Sequence, residues 1–416
     1  MQVDISYGKE KIKVEIPQNY EILIPNKVKI GNENDIIEKA LKNPICKEPF
    51  DQFATKSERL LVIVNDATRP TPTQKILKFI HPVLSSHKNL KFLIATGVHR
   101  APTNEEYKFI FGKIYDEFKK QIYAHNARRD EDMKYLGKSK NGTEMYINKM
   151  VPEIGNVLVI GSVEPHYFGG YTGGRKSFLP GVASYKTIEM NHKLALSDKA
   201  CSLALDGNPV HEDMVDAMNV LKDINVFSIQ TVLTGEHDIY AVTAGDLLKS
   251  FDAAINYSKE VFCVPLKEKG NIVITAAPYP MDIDLYQSQK ALDNGKLALE
   301  SDGIIILVSK CRMGIGEDAF LNLLSKADTT QGVFKLLEKE YKLGYHKAAK
   351  MAQIGNWAKM WAVTDLEDKI VKKTLMKPYS SIQSAVDDAV EIIKTMGKEP
   401  RVVVMPSGSL TIPLVQ

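Results

Sequence analysis

The stretch EPHYFGGYTGGRKSFLPG, residues 164–181, sets His166, Arg175 and Lys176 among five glycines. Glycine gives up more backbone entropy on folding than any other residue, so this density signals unusual dihedrals or a ligand lying against the main chain. Lys176, with Gly173 and Gly174 before it and Pro180-Gly181 after it, reads as a positioned side chain rather than a solvated charge. The pattern suggests a phosphate-binding loop but departs from G-x-x-x-x-G-K-[ST], because Arg175 separates Gly174 from Lys176 and no clear Walker-B aspartate follows. Phosphate binding stays open, while hydrolysis of a nucleoside triphosphate does not fit.

Other residues of the right chemistry are spread along the chain. In NDATRPTP (65–72), the Arg69 fork of donors suits a carboxylate or phosphate, and Asp66 either orients it or forms a local turn pair with it. His99 and His166, each beside loop-forming residues, are candidates for acid/base or ligand work. His166, Lys176 and His192 lie too far apart in sequence for a compact zinc motif. His192, in EMNHKL, is a ligand or simply a helix-end residue. Gln287 and Lys290, three apart on one helical face, point into one cleft or to solvent. His81, His87, His211 and His237 offer only a structural or solvated reading.

The elements that must position these groups repeat a rhythm. LLVIVND (60–66) is a buried strand opening into a polar loop, and TQKILKFIHPVL (73–84) follows with helical spacing. LKFLIATG (90–97) repeats the pattern, and Thr103 with Glu106 forms a capping box for the next helix. Strand, loop and helix in alternation predict a largely parallel α/β sheet whose binding loops gather beyond the carboxyl ends of the strands. Asp66, Arg69, His99 and Arg100 then share one rim. Strands at 122–130 and 156–166 would bring His125, Glu164 and His166 to the same edge.

A hairpin around Gly8 opens the chain, and a second run of strands and helices starts near GNIVITAAPYP (270–280). The expected organisation is two α/β domains with an active-site cleft between them. The first covers 1–265 and binds a cofactor, and the second covers 268–403. The closing segment 404–416 is a candidate to return to the first domain.

At 416 residues the chain exceeds one typical core, and a formal charge of +3 without runs of like charge points away from nucleic acid. No apolar run approaches the roughly 18 residues of a membrane span, and no signal peptide is visible at Met1. Four separated cysteines, Cys46, Cys201, Cys263 and Cys311, fit buried thiols in a reducing compartment, so a cytoplasmic protein is expected.

In this order, DATRPTP, ATGVHRAPT, HNARRD, EPHYFGGYTGGRKSFLPG, NHK and YQSQK resemble the family of nickel-pincer-dependent lactate racemases, across almost the whole chain. The resemblance implies an isomerase that interconverts the enantiomers of a small 2-hydroxy acid. It implies a nickel-pincer nucleotide, a pyridinium-3-thioamide-5-thiocarboxylic acid mononucleotide carrying nickel, joined covalently to Lys176. His192 would be the nickel ligand, and His99 and His166 the paired acid/bases. Arg69 and Lys290 match the carboxylate binders, with Asp66, Gln287 and Tyr286 beside the substrate and Thr68, Gly173, Gly174 and Arg175 beside the cofactor. On this view the glycines let the backbone approach a phosphorylated cofactor. Cofactor-making proteins would be transient partners, with no nucleic acid and no membrane.

The residue types suit that chemistry. A carboxylate opposes a carbanion on the neighbouring carbon, whereas loss of hydride to a cationic ring needs only a base on the hydroxyl, and histidine with an unperturbed pKa near 6.5 can serve. Lactate is the favoured substrate. The resemblance implies a tryptophan near the active site in the second domain of the lactate-specific members; this chain has His346 near the expected place, with Trp357 and Trp361 further on, and Arg128 and Arg129 add cations that would suit a dicarboxylate such as malate. Two other classes remain: a phosphate- or nucleotide-binding transferase, and a non-catalytic anion-binding protein.

Overall fold

The computed structural model describes residues 1–221 and 223–416. The chain opens with a hairpin, β1 (Gln2–Tyr7) and β2 (Glu10–Glu15), and a short strand β3 (Tyr20–Ile22). There follow β4 (Leu60–Asn65), β5 (Leu90–Ala95), β6 (Ile122–Ala124), a second hairpin of β7 (Met133–Lys138) and β8 (Glu144–Asn148), and β9 (Asn156–Ser162). Next come the two-residue ladder β10 (Pro165–His166) and β11 (Gly170–Tyr171), then β12 (Asn225–Leu233) and β13 (Ile239–Gly245). The last strands are β14 (Cys263–Leu266), β15 (Gly270–Ala276), β16 (Leu299–Val308), β17 (Lys359–Val363), β18 (Lys377–Pro378), β19 (Val402–Met405) and β20 (Ile412–Val415).

The chain forms two compact units, residues 27–261 and residues 1–26 together with 262–416. In the first, six strands run in the order β13-β12-β9-β4-β5-β6, parallel except for β13. Every residue from Leu60 to Val64 is buried, as expected of a central parallel strand covered on both faces. Helices at Glu33–Lys42, Phe50–Lys56 and Thr73–Ser85 supply Ile37, Phe53, Ile76 and Leu77 to one side of it. The chain moves from β4 outward through β5 to β6, then returns to the other side of β4 as β9. That reversal opens a crevice beyond the carboxyl ends of β4 and β9, where sheets of this kind bind ligands.

The second unit holds a parallel sheet in the order β18-β17-β16-β15-β19-β3. Its membership corrects the expected boundaries. The first 26 residues belong here because β3 pairs with β19 as the edge strand, and Val3, Ile5 and Val14 of the hairpin, with Ile16 just after it, pack on Ile272, Ile274, Val402 and Val404. A two-stranded hairpin is marginal alone and needs such a surface. Residues 404–416 also stay in this unit, since β20 pairs with β14. No helix among the described residues is long and apolar enough to cross a membrane.

Candidate active site

Two loops at the crevice carry the first group of candidate residues. After β4, the Asp66 carboxylate accepts from the Thr68 hydroxyl at 2.7 Å and the Thr68 amide at 3.2 Å through one oxygen, and from His99 Nδ1 at 2.7 Å through the other. His99 comes from the loop after the neighbouring strand β5. Burial pushes the Asp66 carboxyl up, but the bonds from His99 and Thr68 and the charges of His99 and Arg69 outweigh it, and the group is held below its ordinary value. A carboxylate on Nδ1 leaves Nε2 of the neutral His99 ring as the lone pair open to a substrate. Asp66, expected to lie beside the substrate, thus bonds directly to His99, the residue expected as an acid/base. The Arg69 guanidinium makes no hydrogen bond or ion pair among the described residues, so its fork is available to an anion.

The loop after β9 gathers the second group around one aromatic ring. His166 meets Phe168 edge-on at 4.6 Å between centroids, His192 meets it at 5.1 Å, and Lys176 Nζ lies 5.5 Å from its centre. Residues far apart in sequence therefore share one small volume. Phe168 was not singled out from the sequence; the aromatic doublet Tyr167-Phe168 inside a glycine-rich loop was the available signal. His166 Nδ1 accepts the Gly169 amide at 3.1 Å, so its neutral ring carries the hydrogen on Nε2, the reverse of His99. His192 sits in the last turn of the helix Tyr185–Lys193. Burial first and the Lys176 charge second drive its pKa down to about 3, so the ring stays neutral, the form that binds metals.

Four of the glycines have protein atoms where a side chain would begin. A Cβ at Gly170 would stand 2.2 Å from the Ala204 carbonyl oxygen, one at Gly173 2.6 Å from Val163, one at Gly174 3.0 Å from Phe251, and one at Gly181 2.3 Å from the Ser177 carbonyl oxygen. These four let the loop pack closely on its own protein. Gly169 alone faces the cluster, where a Cβ would lie 3.4 Å from His166 Nδ1 and 3.5 Å from Lys176 Nζ. The Gly174 amide donates to Gln230, a polar residue on the otherwise apolar β12, at 3.0 Å. Arg175, expected beside a cofactor, is fully buried and directs its guanidinium into the loop's own carbonyls and His211.

The Lys176 loop and the β4 and β5 loops are joined by hydrogen bonds, Gly97 N–H to Gly181 O at 2.9 Å and Thr71 to Ser162 at 2.9 Å. His125, expected on the same rim, is a buried structural residue instead. Its Nε2 donates to Ala183 O at 2.9 Å, its Nδ1 faces Asn148, and burial lowers its pKa to about 4. Arg128 stacks on Tyr185 at 4.1 Å, and Arg129 pairs with Glu131 and Asp132.

Tyr286, Gln287 and Lys290 lie together on the helix Leu285–Gly295 of the other unit. Asp284 caps that helix, accepting the Gln287 amide at 2.7 Å. The Lys347 ammonium lies 3.8 Å from the centre of the Tyr286 ring and donates to the Tyr286 carbonyl. His346 is buried on the helix Tyr345–Gly355 with Nδ1 at 3.3 Å from the Tyr341 hydroxyl, and Trp361 stacks on Tyr379 within the sheet.

Residues 7–203 match the model of the lactate racemase N-terminal domain, and residues 266–412 match that of the lactate racemase C-terminal domain. The chain belongs to the lactate racemase family. It is therefore an isomerase. The lactate racemase of Thermoanaerobacterium thermosaccharolyticum is 30% identical over 98% of this chain and 97% of its own length. That of Lactiplantibacillus plantarum is 32% identical over 78% of each chain. The solved lactate racemase apoprotein from the Thermoanaerobacterium species matches with a TM-score of 0.91 at 29% identity, covering 100% of both chains.

The residues present fit the cofactor that the family resemblance implies. Lys176 is buried with its ammonium at the Phe168 cluster, and His192 is a neutral imidazole beside it. Among the described residues no three His, Cys, Asp or Glu converge as a metal site, so a metal on His192 would take its other donors from a bound group.

Proposed function

We propose that the protein racemises a small 2-hydroxy acid, lactate first, with a nickel-pincer nucleotide held by Lys176 and His192. The gathering of His166, Lys176 and His192 around Phe168 carries this reading, and the Asp66–His99 pair on the adjoining loop supports it. When bound, the cofactor would supply a cationic ring able to accept hydride from the substrate's second carbon. Arg69, whose guanidinium fork suits a carboxylate, binds the substrate carboxylate. His99 Nε2 takes the hydroxyl proton of one enantiomer, steadied by Asp66 on Nδ1. His166 serves the other enantiomer once its ring exchanges the tautomer favoured by the Gly169 amide. The four cysteines form no disulfide among the described residues, which accords with a cytoplasmic setting.

The deciding measurement is nickel content with intact mass, on protein from a host that makes the cofactor. The wild type is expected to carry nickel and an adduct of several hundred daltons. Lys176→Ala should lose the adduct and His192→Ala the nickel, each with an unchanged circular dichroism spectrum. An adduct of unchanged mass on Lys176→Ala, or full nickel on His192→Ala, overturns that assignment.

A further inference from the structure

We infer that Arg175 is the positioning residue of the Lys176 loop and that His211 is the neutral acceptor it requires. The Arg175 side chain is fully buried and its guanidinium lies 4.2 Å above the Phe251 ring. Nε donates to His211 Nδ1 at 3.0 Å, one terminal nitrogen donates to Gly169 O at 2.8 Å, and the other reaches Gly173 O at 3.4 Å. One planar group thereby ties both ends of the turn that presents Lys176 to a helix and a ring outside the loop. The helix is Pro209–Val220, which carries His211, and the ring belongs to the helix Leu247–Phe262.

The arrangement is costly unless it does this. Burial lowers the Arg175 pKa to about 9 against the opposing charge of Asp252, and among the described residues no carboxylate forms an ion pair with it; a buried cation without one is expensive, so packing alone would be better served by an apolar side chain of similar length. A lysine could keep the charge but not three directions of donation in one plane. Because arginine offers donors only, His211 Nδ1 must carry a lone pair and its hydrogen must sit on Nε2. Gly169 is the residue whose amide meets His166 Nδ1 and whose Cα faces Lys176 Nζ. Holding the Gly169 carbonyl therefore fixes the spacing between the lysine and the histidine.

The test has two arms, of which only the second rests on the role proposed for Lys176. In the apoprotein, Arg175→Met and Arg175→Lys should each speed amide hydrogen exchange at Gly169, Gly174 and Lys176 at least tenfold, with Gly270–Ala276 of the other unit unchanged. In protein from a cofactor-making host, both should lower the adduct-bearing fraction at least fivefold. His211→Leu should reproduce both effects, and His211→Asn, whose amide oxygen can stand where Nδ1 stood, should recover at least half of each. Should the Arg175 variants fail to fold, the His211 pair decides. Wild-type exchange in Arg175→Met, or equal losses in His211→Leu and His211→Asn, overturns the inference. An absent adduct in the wild type sinks the cofactor reading and leaves the exchange arm to decide this one.

Discussion

Asp66 is the residue whose contacts say most about how the site works. Its carboxylate spends one oxygen on Thr68 and the other on His99, and it stays ionised in a buried position because those bonds outweigh the burial. A base held by a charged partner keeps its tautomer and its aim. Asp66→Ala should lower kcat/KM for racemisation by about 10²–10⁴, the range over which a positioned acid/base acts. Enantiomers have equal free energy, so the loss must be the same from either one. Steady-state rates from both pure enantiomers, with nickel and adduct measured alongside, check this. A loss that tracks adduct content would instead make Asp66 part of cofactor retention. The Asp66–Arg69 spacing was legible in NDATRPTP, but the sequence paired these two locally, because the partner that matters, His99, lies on a different strand end and only the parallel register brings it across.

The element that defines the site is the loop from Glu164 to Gly181, and its glycines divide into two kinds. Their number was visible in the sequence, but their purpose was not, since a glycine admitting a ligand and one admitting its own backbone look alike until the neighbours are known. Gly170 has φ +73° and its missing Cβ would overlap the Ala204 carbonyl, whereas a Cβ at Gly169 would sit in ordinary contact with His166 and Lys176, at 3.4 and 3.5 Å. Gly170→Ala should therefore cost at least about 2 kcal/mol, from the left-handed backbone plus the clash. Gly169→Ala should cost less than about 1 kcal/mol. Yet Gly169→Ala should reduce the adduct on Lys176 severalfold, because its methyl fills the gap that the lysine faces. Urea titration of the two apoproteins gives the stabilities, and intact mass gives the adduct. Full labelling of Gly169→Ala would show that this gap is not used. The strands and helices around the loop were readable throughout. The capping box at Thr103 and Glu106, for example, is complete, with bonds of 3.3 and 2.7 Å. Such signals are local in sequence, and the loop's packing is not.

For the whole molecule, histidines and tryptophans are divided between the units. Eight of the nine histidines fall in residues 27–261, and both tryptophans, Trp357 and Trp361, fall in the other unit. The sequence placed the boundary near residue 265 and missed that the first 26 residues cross over, because edge pairing of β3 with β19 leaves no local trace. The division makes acid stability different in the two units. His125, His192 and His211 have folded pKa values lowered to about 4, 3 and 3, in each case first by burial. Their unfolded value is about 6.5, so below that pH the unfolded chain binds protons that the folded unit refuses, and stability falls as pH falls. Fully buried His125 contributes a slope of about 1.4 kcal/mol per pH unit between pH 6.5 and 4, and the less buried His192 and His211 add smaller shares after solvent screening. Asp66, with a lowered pKa, acts in the same sense at lower pH. In the other unit Asp284 runs oppositely: burial raises its pKa, so the folded state takes up the proton first and gains stability as pH falls through that raised value. Acid titration of the apoprotein should therefore release amide protection in β4, β5 and β9 at a higher pH than it changes tryptophan fluorescence. His125→Asn, which keeps an amide able to donate to Ala183, should move the first transition to lower pH and leave the second in place. Coincident transitions in the wild type, or an unmoved first transition in His125→Asn, would show that buried neutral histidines do not set the acid limit.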